Sequence, residues 1–214
     1  MHKIKTIIIA TILSTFAIFS ASAQVSVGIN VKGVSLDANG SETQSNESRT
    51  ETLEAVVGSI FIEYKIMDLV SIGVESIPYD IDSETVTNNR DGEQVDTGNT
   101  TVQVDLESNY GAYLMAPLGS EGVYAKLGVT HSDIITNENM ATSTKYGNDD
   151  LWGTHLSLGF ERDVSDVTMR LEATLSEYED VKIGGADNEG GQGNVVTVSG
   201  MDGYSVGVSI VKGF

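Results

Sequence analysis

The sequence predicts an all-β fold, a single eight-stranded antiparallel up-and-down transmembrane β-barrel. Three observations predict it. Eight segments alternate apolar and polar residues with the two-residue period of a pleated strand. The connections between them alternate long and short along the whole chain. The apolar parity carries aromatic residues near both strand ends, as a structure held between two membrane surfaces requires.

In chain order the segments are residues 25–36, 53–66, 70–81, 100–118, 122–135, 152–164, 167–183 and 202–214. Residues 37–52, 82–99, 136–151 and 184–201 form long polar connections, whereas 67–69, 119–121 and 165–166 form tight turns. A soluble barrel has no reason to place every long loop at one end. A barrel in an outer membrane does, with short turns on the periplasmic side and long loops outside. An even strand number then puts both termini in the periplasm. Pro78 has no N–H to give a ladder, so the third segment is expected to stop or bulge there.

The fourth segment sets Val102, Val104, Leu106, Ser108, Tyr110, Ala112, Leu114 and Ala116 against Gln103, Asp105, Glu107, Asn109, Gly111, Tyr113 and Met115. The sixth sets Trp152, Thr154, Leu156, Leu158 and Phe160 against Gly153, His155, Ser157, Gly159 and Glu161. Periodicity alone does not say which face is inside. The polar parity is rich in Gly and Ser, which suits the narrow interior of an eight-stranded barrel. On the apolar parity, Trp152 and Tyr204 lie toward the long loops, and Tyr64, Phe160 and Phe214 toward the short turns. Tyr64, Trp152, Phe160 and Tyr204 are therefore the expected interface aromatics, with the apolar face in lipid.

Residues 1–23 read as a secretory signal peptide, with Lys3 and Lys5, an apolar run from Ile7 to Phe19, and Ala21-Ser22-Ala23 at the cleavage site. Residues 24–214 then form the barrel. Cysteine is absent, which excludes disulfides and thiol chemistry. The net charge of −19 becomes more negative once Lys3 and Lys5 are removed. Such a balance argues against nucleic acid as a partner and leaves outer-membrane lipid as the expected surroundings.

The signal segment, the alternating strands and the closing pattern Tyr204-x-Val206-x-Val208-x-Ile210-x-x-x-Phe214 resemble the small Gram-negative outer-membrane β-barrel family, whose best-known members are the OmpA transmembrane domain and OmpX. The stretch "YAKLGVTHSD", residues 124–133, also resembles the fifth strand of that group. The resemblance implies that Phe214 is an assembly signal, through which the C-terminal strand is read by the barrel-assembly machinery.

With the polar parity inward, the lumen is expected to hold the acids Glu63, Glu75, Asp105, Glu107, Glu161 and Glu172 and the bases Lys65, Lys126 and Arg170. Glu63, Glu75, Lys126, Arg170 and Glu172 fall at similar heights above the periplasmic end and form the expected charge cluster. Asp105 and Glu107 lie higher, as acids of the lumen mouth. His131 and Ser132 are adjacent, so they point to opposite faces and cannot act on one substrate; His155 reads as lumen filling. The acidic stretches "NNRDGEQVD" and "YGNDD" lack calcium-loop spacing. No catalysis, cofactor or metal is expected. The sequence reading is a structural or surface-interaction barrel acting through four long extracellular loops; the alternative is a narrow, cation-preferring, porin-like channel.

Overall fold

Hairpin pairing between chain neighbours closes this chain into a ring. The computed structural model describes residues 24–42, 48–66, 69–83, 86–89, 99–119, 121–139, 145–186 and 195–214. Their strands are β1 (Gln24–Glu42), β2 (Ser48–Ile66), β3 (Val70–Ser76), β4 (Ile81–Asp82), β5 (Val86–Asn89), β6 (Asn99–Pro117), β7 (Val123–Asn139), β8 (Lys145–Tyr146), β9 (Asp149–Val164), β10 (Val167–Tyr178), β11 (Val181–Ala186) and β12 (Val195–Gly213). The ring runs β1-β2-β3-β6-β7-β9-β10-β12 and returns to β1. Every ladder is antiparallel, and β1 meets β12 from Ser26↔Gly213 up to Glu42↔Val196. The strands β4 and β5 continue the third staff of the barrel along β6, and β11 continues the seventh along β12. Eight staves result, as the alternation predicts.

Exposure settles the faces. Leu158 and Leu171 are 58% and 55% exposed, whereas Ser157 and Ser209 are 0% and 7% exposed. Ile29, Val31, Leu156, Val206 and Val208 share the outward face. Aliphatic side chains shown to water in such numbers would be an aggregation surface. Placed in hydrocarbon they are the lipid-facing band of a transmembrane barrel. The 19-residue strands β1, β2, β6 and β12 are longer than this band needs, since about 9–11 residues cross a bilayer. The wall therefore rises beyond the membrane, and parts of the expected long loops (37–42, 48–52, 136–139, 149–151 and 195–201) are strand.

In that extension the polarity of the wall inverts. Ile134, Leu151, Val181 and Met201 are buried inside, packed by Leu36, Val104, Leu106 and Tyr178. Both surroundings of the extension are aqueous, so it is stabilised as a soluble barrel is, by an apolar interior. On β6 the inversion needs a shift of parity, and a bulge between Glu107 and Tyr110 supplies it. Ser108 takes a positive φ of 52° there, at a cost of about 1–2 kcal/mol for an L residue. Hydrogen bonds hold the kink: Asn109 Nδ2 donates to the Leu106 carbonyl at 2.8 Å, and the Ile77 N–H donates to the Asn109 carbonyl at 3.0 Å. Because Leu106 and Val104 turn inward, Asp105 and Glu107 turn outward. The expectation that these two acids line the lumen mouth is thereby corrected; Asp105 instead accepts hydrogen bonds from Gln103 and Asn137 on the outer surface.

The third stave breaks where Pro78 stands. β3 ends at Ser76, and pairing with β6 resumes only at Ile81. β2 is paired to β3 from Ile60 to Ile66. Above Ile60, no described Cα of β4 or β5 comes within 8 Å of β2. The Tyr79 hydroxyl reaches across, accepting the Gly58 N–H at 2.6 Å. The wall of the described barrel is open sideways at this place, beside Tyr110.

Candidate functional site

The narrow lumen is filled from the strands inward. Large rings occupy it only where the directly paired residue on the next strand is glycine. Phe61 faces Gly28, Tyr113 faces Gly73, Tyr124 faces Gly159 and His155 faces Gly128. In each case a Cβ on the glycine would run into the ring. The glycines therefore admit close approach of an aromatic neighbour, and the Gly-rich parity is the imprint of the rings it accommodates.

Between these rings lies the charge network. Arg170 donates to Glu63 through both terminal guanidinium nitrogens, at 2.7 and 2.8 Å, and through Nε to Glu161 at 2.9 Å. Glu63 also accepts the Tyr113 hydroxyl at 2.8 Å. Lys126 meets Glu172 at 2.5 Å, and Glu172 accepts the Tyr124 hydroxyl at 3.1 Å. Glu75 meets Lys32 at 3.2 Å and accepts the Ser59 hydroxyl at 2.5 Å. The Lys126 ammonium lies 4.7 Å from the Tyr113 ring centre, and the Arg170 guanidinium lies 5.6 Å from that of Tyr124. Four carboxylates thus meet three cations, each with a hydrogen-bonding partner, which is the condition for holding charges out of water.

The structure brings Glu63, Glu75, Lys126, Arg170 and Glu172 into one layer, with two differences from the sequence reading. Glu75 is paired by Lys32, which that reading passed over although it shares the inward parity of Gly28 and Asn30. Lys65 is not in the lumen but exposed at the end of β2. Phe61 and Tyr124 were also missed as lumen residues, whereas Tyr113 already fell on the inward parity; the signal available was the glycine opposite each. Of the expected interface aromatics, Trp152 (43% exposed), Phe160 (45%) and Tyr204 (59%) stand outward, and Tyr64 is half-buried on the same face. Phe214 is 79% exposed, with its N–H bonded to the Val25 carbonyl at 2.9 Å.

Above the charge layer is a cavity of about 150 Å3. Lys32, Glu75, Lys126 and Glu172 form its floor, while Leu36, Val57, Leu106 and Leu151 line its upper part. Its side includes Ala55 on β2 and Ser76, Ile77 and Ile81 across the break in the third stave. Among the described residues, the break in the third stave and the cavity therefore adjoin. His131 and Ser132 do lie on opposite faces: Ser132 donates inward to Asn109 Oδ1 at 2.5 Å, and His131 stands outside between Tyr110 and Trp152.

No family model and no curated protein matches the chain. Solved outer-membrane barrels are similar to it. The outer membrane protein OprG from Pseudomonas aeruginosa is 12% identical, with a TM-score of 0.49 over 86% of this chain and 95% of that one. The outer membrane protease OmpT from Escherichia coli is 8% identical, with a TM-score of 0.49 over 91% and 99%. The attachment invasion locus protein Ail of Yersinia pestis, solved with the heparin analogue sucrose octasulfate, is 9% identical, with a TM-score of 0.41 over 89% and 99%. Such distant similarity transfers no activity. The closed ring and the outward apolar band carry the assignment: the chain is an integral outer-membrane β-barrel protein.

Proposed function

We propose that this is a non-conducting barrel with a structural or surface-interaction role, acting through the strand-walled extension and loops on its outer side. The observation that carries this reading is the double closure of the lumen. The Arg170–Glu63 and Lys126–Glu172 pairs with their rings fill the lower part, and the Ile134–Leu151–Val181–Met201 cluster fills the upper part. A cation path would need carboxylates facing water along the axis, and Asp105 and Glu107, the acids expected to provide them, face outward. In planar bilayers the wild-type barrel is expected to give no ohmic conductance steps. Stable, cation-selective steps from the wild type would overturn this reading in favour of the channel.

A second reading is supported by the cavity beside the opened third stave. The cavity of about 150 Å3 is comparable to one that holds benzene, its upper part, lined by Leu36, Val57, Leu106 and Leu151, is apolar, and among the described residues it borders the break between β2 and β4. On this reading the barrel takes up a small apolar molecule from the membrane surface. Benzene titrated into the detergent-folded barrel should shift the methyl NMR signals of Val57 and Leu106, and Ala55→Phe should abolish the shifts by filling the space. Unmoved Val57 and Leu106 signals at saturating benzene would sink it.

A further inference from the structure

On the outer surface, just above the aromatic girdle, three strands place acids directly opposite one another. Asp133 on β7 is paired with Glu107 on β6 and with Asp150 on β9. Like charges at directly opposed positions on one face repel, so this row costs stability unless something positive lies among its members. One step below, Tyr110, His131 and Trp152 occupy directly paired positions on the same three strands. The His131 ring is stacked on Tyr110 at 4.8 Å and meets the Trp152 ring edge-on at 4.6 Å. These contacts leave the histidine 8% exposed and fix its plane.

Fixed in this way, His131 aims Nε2 at the acids. Nε2 lies 3.8 Å from Asp133 Oδ1 and 3.7 Å from Asp150 Oδ1. Both separations are too long for hydrogen bonds. Among the described residues, Nδ1 is buried with no hydrogen-bond partner. Both carboxylates are at least partly exposed, so they can shift toward a ligand shared with Nε2. The three ligand atoms lie within 4.8 Å of one another, so a small inward shift of the exposed carboxylates brings all three within reach of one ion held at about 2.0–2.2 Å from each.

We propose that His131, Asp133 and Asp150 form a divalent transition-metal site on the outer face of the barrel, at the boundary of the outer leaflet. An imidazole nitrogen with two carboxylate oxygens favours an ion of the zinc class; calcium and magnesium prefer all-oxygen shells. Three protein ligands leave at least one position for water on the solvent side. The ion neutralises the Asp133–Asp150 repulsion and ties β7 to β9 above the membrane.

The test is equilibrium dialysis of the folded, untagged barrel against Zn2+ in detergent, with a thermal melt of the same samples. One ion per barrel is expected, with affinity reduced at least tenfold in Asp133→Asn and in Asp150→Asn. Tenfold excess Ca2+ should not displace it. Without metal, Asp150→Asn should melt above the wild type, because a facing carboxylate is gone; with Zn2+ only the wild type should gain. Absence of Zn2+ uptake, uptake equal in the wild type and both variants, or displacement by Ca2+ would overturn the proposal. Asp150 is exposed, so its substitution leaves folding intact and the comparison readable.

Discussion

Arg170→Ala is expected to destabilise the barrel by about 3–5 kcal/mol, the range for removing one partner of a buried ion pair. The Arg170 side chain is 10% exposed and that of Glu63 is 4% exposed. Loss of the guanidinium removes both bonds to Glu63 and the bond to Glu161. Among the described residues, it leaves the Glu63 carboxylate in the lumen with only the Tyr113 hydroxyl for a partner. Most of the cost is the desolvated charge left behind, not the lost attraction. Two further variants separate these contributions. Glu63→Gln added to Arg170→Ala removes the orphaned charge and should recover a large part of the loss. Arg170→Lys keeps the charge but cannot make the two-pronged contact, so it should fall between wild type and Arg170→Ala. Urea unfolding followed through Trp152, the single tryptophan, measures all three. A double variant no more stable than Arg170→Ala would show that the network is held by packing of the rings and not by charge pairing.

The staves were legible in the sequence because the membrane imposes a rule that repeats every second residue. Where that rule ends, so did the reading. Val104 and Leu106 looked lipid-facing because their parity matches Leu114 and Ala112, and the parity of β6 changes at Ser108, a residue with nothing in its type that announces a left-handed turn. Residues 37–42 and 195–201 looked like loop because the extension above the membrane carries Asp, Asn, Ser and Gly on its wet face. Its apolar interior, read with the membrane rule, appeared on the wrong side. Pro78 did carry its message, since a missing N–H interrupts a ladder in any surroundings. In the lumen the charged residues were visible from parity, but their partners were not. Whether Glu75 meets Lys32 or Lys126 depends on shear between strands, and nothing in one strand encodes it. The His131–Asp133–Asp150 group was hidden for the same reason. It joins two strands in a register that neither strand encodes alone.

Leu156→Arg is expected to cost about 2–4 kcal/mol, the penalty for a guanidinium near the bilayer midplane. Leu156 stands outward on β9, midway between Trp152 and Phe160, the residues expected at the two membrane surfaces, and is 53% exposed. The same strand carries Arg162 on the outward face just past Phe160, where a cation meets water and costs little. Position along the strand, not residue type, therefore decides the penalty. Leu156→Ala makes the test discriminating. If Leu156 faced a protein core, its truncation would leave a cavity and cost roughly 2–5 kcal/mol. Facing lipid, it leaves a space that acyl chains fill, and lipid tails are as apolar as the leucine they replace. The alanine variant should then stay well below the arginine variant in cost, when both are unfolded by urea from phospholipid vesicles. An alanine variant as damaging as the arginine one would mean that the apolar face packs against protein, and the lipid-facing assignment of this parity would have to be reversed.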